Sequence, residues 1–261
     1  MQTRGFARML TAIGATTIAI FTEAGKAGLF FAHTLSQLVR GVRIKLLIQQ
    51  MAAIGFDSLP IVLLTAFFTG GVLALQTYSG FASATLASTQ LGPVVALSMV
   101  RELGPVLASL MVAGRVGAAI AAEIGTMRVT EQIDAMKTLA TNPLRYLVVP
   151  RVLAAILTVP MLVMIANVVG IFGGYLVSTN MLDINPFTFQ NSAFNVLEAE
   201  DLTLSLTKGA FFGFLVGFWG CYQGYMTKGG AQGVGKATTV AVVYASVSIL
   251  IIDYFITAIW V

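Results

Sequence analysis

The chain has 261 residues, 57% hydrophobic and only 10% charged, with a mean hydropathy of +0.88. A soluble domain carries about 25% charged residues, so this composition excludes an ordinary soluble fold, and its apolar excess excludes a disordered chain. A single cysteine (Cys221) and a single histidine (His33) leave no intrachain disulfide and almost nothing from which to build a zinc cluster.

Arg4 and Arg8 open the chain, ahead of an apolar stretch from Met9 to Phe21. The pattern resembles a signal peptide, but only Thr22-Glu23-Ala24-Gly25 follows, with no small-residue cleavage site. The stretch is also short for a membrane span. An amphipathic helix on the inner leaflet is the preferred reading, with Phe6, Leu10, Ile13 and Phe21 dipping into lipid. A cleaved signal and a sixth span are the alternatives. Arg40, Arg43 and Lys45 would meet anionic headgroups, and residues 1–50 form the interfacial part of a single domain, 1–261.

Residues 58–100, 103–114, 152–182, 209–227 and 237–252 contain no Asp, Glu, Lys or Arg. A spanning helix needs about 20 apolar residues. The expected fold is therefore an all-α integral membrane protein with about five spans, near 58–79, 91–121, 146–178, 203–224 and 236–260, and a Ser/Thr/Gly-rich turn at 80–90. Basic residues gather before the first span, between the second and third, and at Lys228 and Lys236. The loop 179–202 carries Asp183, Glu198, Glu200 and Asp201 and no basic residue. The positive-inside rule puts the N-terminus in the cytoplasm and the 179–202 loop and C-terminus outside. Tyr254, Phe255 and Trp260 then form an outer aromatic anchor. The net charge of +4 is read as basic cytoplasmic loops, not as a nucleic-acid surface.

Arg101-Glu102-Leu103-Gly104-Pro105 interrupts the second span. Charges inside a membrane are costly and default to a functional reading. They line a substrate route, or else form a mutually compensated pair near the interface. Gly104-Pro105 should bend or break the helix locally. Between the second and third spans, residues 126–140 are helix-compatible. Arg128/Glu131 and Asp134/Lys137 are spaced as i,i+3 pairs. Met127, Ile133, Met136 and Ala140 offer apolar contacts, and Asn142-Pro143 is a stop. This segment is either a solvated connector or a short helix that docks into a partner's groove. Residues 230–236, Gly-Ala-Gln-Gly-Val-Gly-Lys, fit G-x-x-x-x-G-K, but Ala237 stands where a phosphate loop needs Ser or Thr, and the motif joins two spans. It is read as a turn with Lys236 snorkelling. The rows Gly114/Ala118/Ala122, Gly213/Gly217 and Gly220/Gly224 have helix-contact spacing, within or between chains.

Three strings carry a family resemblance: RELGPVLASLMVAGRVGAAIAAEIG (101–125), MRVTEQIDAMKTLATNPLRYLVVPR (127–151) and GVGKATT (233–239). They resemble the signature region of MlaE-family ABC transporter permeases, with matching block order and length over roughly residues 20–261. The resemblance implies a homodimeric permease in the bacterial inner membrane, moving phospholipid between two membranes and maintaining outer-membrane lipid asymmetry. It implies a cytoplasmic MlaF-like ATPase using ATP and magnesium, an MlaB-like STAS protein and an MlaD-like MCE ring. No catalysis or cofactor is expected in this chain itself. Residues 123–140 would match the ATPase-coupling helix, with Glu123, Met127, Arg128, Thr130, Glu131, Gln132, Asp134 and Met136 as contacts. Leu73, Gln76, Tyr78, Arg101 and Glu102 would line the lipid cavity at the dimer interface. The residues alone also admit an ion-coupled secondary transporter or channel, which five spans fit poorly because they do not divide into two equal repeats. A scaffold that only anchors a partner is a further alternative.

Overall fold

The computed structural model describes residues 2–38, 41 and 43–260, with side chains for all of these except 2–16, 19, 20, 38 and 84. Among the described residues every regular element is helical. This is the all-α membrane fold that the composition demands, because a lipid environment forces each backbone polar group into an internal hydrogen bond. Five stretches are long and apolar enough to cross a membrane: Ile44–Gly80, Thr85–Val129, Leu144–Asn180, Ala199–Tyr225 and Gly230–Trp260.

Helix α1 (Gln2–Leu38) precedes them. The side chains of Arg4, Arg8, Phe6, Leu10 and Ile13, and all of Arg40, lie outside the described residues, while Phe21 is exposed. The far end of α1 is anchored by Phe30, which is buried edge-on against Phe218 and Tyr222 and tilted on Tyr225 at 5.6 Å. Phe31 adds edge contacts with Phe214 and Phe218.

Helix α2 (Ile44–Gly80) starts well before the apolar run that announced it. The turn after it is only Phe81–Ser83, shorter than the expected 80–90, because Ser83 caps the next helix by accepting from the Leu86 N–H at 3.3 Å. The second span is built from α3 (Ala84–Ser98), α4 (Gly104–Val112) and α5 (Ala118–Val129), joined by π-helical turns at Met99–Leu103 and Ala113–Gly117. Of the bend or break expected at Gly104-Pro105, the break does not occur. The wide turn ahead of Pro105, closed by the Gly104 N–H on the Met99 carbonyl, absorbs the proline while the helix continues.

After α5, a short helix α6 (Gln132–Thr138) and a π-helical turn at Leu144–Val148 lead into α7 (Val149–Asn180). The 179–202 segment is not a plain loop. It holds α8 (Pro186–Asn195), whose Asn185 cap accepts from the Phe187 and Thr188 N–H groups. Asn-Pro at a helix start was the legible signal. Helices α9 (Ala199–Tyr225) and α10 (Gly230–Trp260) complete the chain.

Small residues set the packing. A Cβ on Gly70 would collide with the Gly170 carbonyl, which lets α2 and α7 touch backbone to backbone. The two G-x-x-x-G pairs of α9 serve different neighbours. Gly213 and Gly217 receive α7 at Ala155 and Val152, while Gly220 and Gly224 receive α5 at Ile120 and Ile124. Both pairs therefore work within the chain. Gly114 is different: it is exposed, with open space where its Cβ would stand.

Candidate functional site

Two polar regions lie at opposite ends of the bundle. At the α8 end, Arg101 and Glu102 sit on the π-helical turn Met99–Leu103. They do not compensate each other. Arg101 Nε donates to Asp201 Oδ1 at 2.6 Å, and Glu102 pairs with Lys208 at 2.8 Å. Lys208, fully buried, also pairs with Asp253 of α10 at 2.8 Å, and the Thr257 hydroxyl donates to Glu102 Oε1 at 3.0 Å. Lys208 Nζ further donates to the Arg101 carbonyl at 2.9 Å. That carbonyl lies four residues before Pro105, which has no N–H to offer it. One ammonium thus pairs with two carboxylates and hydrogen-bonds the acceptor that proline orphans.

Asp201 is buried and also accepts from the Glu198 N–H at 3.0 Å, forming part of the capping box that starts α9. Arg101 remains about half exposed, at 48%. It opens into a cleft of about 490 Å³ lined by Glu102, Glu198, Glu200, Asp201, Thr257 and other residues. The expected cavity residues fall into two groups. Arg101 and Glu102 line this cleft. Leu73 and Tyr78 instead pack on the apolar cluster of Ala74, Leu91, Val95, Met99 and Phe189, and Gln76 is exposed on α2. Asp201, Lys208 and Asp253 were missed as partners. Their signal was present: Lys208 and Asp253 are isolated charges bounding apolar runs.

At the other end, the segment after the second span is not one continuous helix over 126–140. Helix α5 runs to Val129. Glu131 then takes a left-handed conformation, φ 61°, that breaks the helix before α6. The break changes the pairing. Arg128 does not meet Glu131; its Nη1 reaches both Asp134 oxygens at 2.9 and 3.0 Å. Asp134 and Lys137 pair at 2.9 Å, as their spacing predicts. Hydrogen bonds from Lys137 and Arg128 hold the Asp134 carboxyl below the usual aspartate range.

Ile133 is fully buried, and Met127 and Met136 pack against the same core cluster, so α6 is pinned to the bundle. Glu131, Gln132 and Asp134 stay exposed, and Leu139 projects with 78% of its surface free. Leu139 was not singled out in the sequence. Thr130 bonds back to the Thr126 carbonyl at 2.8 Å. Glu123 pairs with the nearly buried Arg151 at 2.9 Å, tying α5 to α7. Asn142 does not stop α6, which ends at Thr138; it accepts from the Leu144 N–H and starts the next turn. A further ion pair, Arg115 with Asp57 at 3.0 Å, links the second π-helical turn to α2. Among the described residues no group of three or more His, Cys, Asp or Glu could hold a metal ion.

The chain is similar in sequence to several permease proteins. The family described as Permease MlaE matches residues 47–259. A probable ABC transporter permease protein of Rickettsia bellii is 52% identical over 94% of this chain and 95% of its own length. A probable ABC transporter permease protein of Synechocystis is 45% identical over 80% of each chain. The intermembrane phospholipid transport system permease protein MlaE of Haemophilus influenzae is 36% identical over 96% of each. Matches of this extent, on a five-span helical bundle, mean that the chain belongs to the MlaE family of ABC transporter permeases.

Proposed function

We propose that this chain is the membrane half of an ATP-driven phospholipid transporter. Two copies would enclose a lipid cavity, and a separate ATPase, using ATP and magnesium, would drive them. Phospholipid as cargo rests on the likeness to the Haemophilus permease. The observation that carries the mechanism is the separation of tasks along the bundle. A charged cluster is fixed beside an open cleft at one end, and an anchored helix with an exposed apolar tip stands at the other. A helix pinned by Ile133 and tipped by Leu139 can transmit a push from a docked partner into α5 and α7 through the Glu123–Arg151 pair. Rigid elements of this kind carry coupling.

Glu131, Gln132, Arg128 and Asp134 would face the ATPase groove, with Met127 and Met136 as the inner contacts and Glu123 and Thr130 holding the helix ends. Leu73, Gln76 and Tyr78 on α2 would face lipid across the dimer, and Arg101 and Glu102 would meet the headgroup. The cleft sets Glu198 and Glu200, which take part in no ion pair among the described residues, near the half-exposed Arg101 guanidinium, an arrangement that suits a headgroup with an amine beside its phosphate. By the distribution of basic residues, α6 lies in the cytoplasm and the α8 end and C-terminus face outward, in a bacterial inner membrane. Helix α1 lies along the inner leaflet, and residues 1–261 act as one domain. A STAS protein and an MCE ring would complete the assembly and serve outer-membrane lipid asymmetry.

The test is lipid transfer by the reconstituted chain with its ATPase. Glu131→Lys should abolish transfer and weaken ATPase association without loss of fold, and Arg101→Ala should reduce transfer with association intact. Normal transfer by Glu131→Lys would sink the coupling role.

A further inference from the structure

A cavity of about 640 Å³ lies between α1, α9 and the start of α10, apart from the Arg101 cleft. It is at the α6 end of the bundle, since Gly125 of α5 abuts Thr227 and Val234 there and Lys137 stands over the Tyr225 ring. Ala27, Trp219 and Tyr244 contribute its apolar wall, and Lys228, Lys236 and Glu23 its polar groups. We propose that this cavity binds the phosphate headgroup of an anionic phospholipid from the adjacent leaflet, held by Lys228 and Lys236.

The charge balance carries the argument. Glu23 is already engaged: Lys26 Nζ contacts it at 2.6 Å and the Tyr222 hydroxyl donates to it at 3.3 Å. The Lys26 hydrogen bond keeps the Glu23 carboxyl below its usual range, with a weaker pull from Lys228, so Lys26 takes most of the Glu23 charge. Among the described residues neither Lys228 nor Lys236 takes part in an ion pair. Both are exposed at the mouth of a pocket whose wall is apolar and aromatic. Trp219 and Tyr244 meet edge to face at 5.0 Å, and the indole N–H is used by Ser248 at 3.0 Å, so Trp219 offers its ring rather than its polar atom. Aromatic rings with basic residues at a membrane boundary suit a lipid headgroup and its first acyl carbons, and the volume lies within the usual range of ligand pockets.

The site also accounts for the G-x-x-x-x-G-K string. Its glycines form no phosphate loop: Gly230, with Gly229 just before the string, turns the chain with positive φ, and Gly233 and Gly235 already lie in α10. The string's lysine is delivered to the cavity instead. A lipid held here would bind α1 to α9 and α10 from below, a role separate from the transported cargo.

Trp219 reports on the cavity directly. In full-length protein carrying Trp260→Phe, it is the sole tryptophan. Reconstituted in vesicles, it should be quenched by acyl-brominated phosphatidylglycerol at much lower mole fraction than by brominated phosphatidylcholine. Adding Lys228→Gln and Lys236→Gln should weaken the phosphatidylglycerol response about ten- to thirtyfold, at roughly a tenfold change or less per lysine, and leave the phosphatidylcholine response unchanged. Equal quenching by the two lipids, or an unchanged response in the double variant, would overturn the proposal. Reversal of the quenching by millimolar inorganic phosphate would overturn the lipid as the source of the anion. The readout is lipid contact and not transport, so failure here is distinct from failure of the transport reading.

Discussion

Lys208 is the residue on which the α8 end turns. Its ammonium is fully buried, faces Glu102 and Asp253 at 2.8 Å, and serves the Arg101 carbonyl. Removing one partner of a buried ion pair costs about 3–5 kcal/mol; here Asp253 would be left mostly buried without its cation, while Glu102 faces the open cleft. Lys208→Met should therefore lower the thermal unfolding midpoint sharply in detergent, and an unchanged midpoint would show that the cluster is not structural. Glu131 makes the opposite case. A non-glycine residue at φ 61° carries about 1–2 kcal/mol of local strain, so Glu131→Gly should leave stability equal or raised while removing the carboxylate from the α6 surface. Reduced stability in that variant would mean that the Glu131 side chain is itself needed for the fold. Arg101 and Glu102 are legible in the sequence because charge inside an apolar run stands out. Their partners are not, because Asp201 looks like an ordinary loop acid and Lys208 like an ordinary span end. Which charges meet is decided by how α9 lies against the second span, and no local pattern encodes that.

At the scale of elements, hydropathy located the spans and left their joints to be set by individual side chains. Pro105 reads as a helix breaker, yet a π-helical turn and a lysine from another helix accommodate it. Residues 126–140 read as one helix, but Glu131 divides them and redirects Arg128 to Asp134. This pairing has a pH signature. The Asp134 carboxyl is depressed in the folded chain, so its contribution is complete above the ordinary aspartate range and is lost as pH falls through the depressed value. Hydrogen exchange at 130–138 should stay slow through mildly acidic pH and accelerate only below the usual aspartate range, and Asp134→Asn should abolish that dependence. Exchange that is insensitive to acid in the native chain would contradict the pairing. The glycines divide in the same way. Gly70→Leu must force α2 off α7 and should cost about 1–3 kcal/mol or more. Gly114→Leu points into open space and should leave the melting of the chain unchanged while weakening its self-association. Loss of fold in Gly114→Leu would remove that row from any interface between copies.

For the whole molecule, composition and charge-free runs made the membrane class and span count legible, and three signature strings made the family legible. The α8 helix and the two cavities were not legible, since they arise where helices distant in sequence converge. In the proposed transporter this chain works as a pair driven by a separate ATPase and carrying phospholipid. The decisive measurement is native mass spectrometry of the complex, purified from native membranes in mild detergent. Two copies of this chain with two of an ATPase, retaining phospholipid, are expected. A chain that comes through alone and lipid-free, with no ATPase across several detergents, would contradict it and favour an ion-coupled transporter.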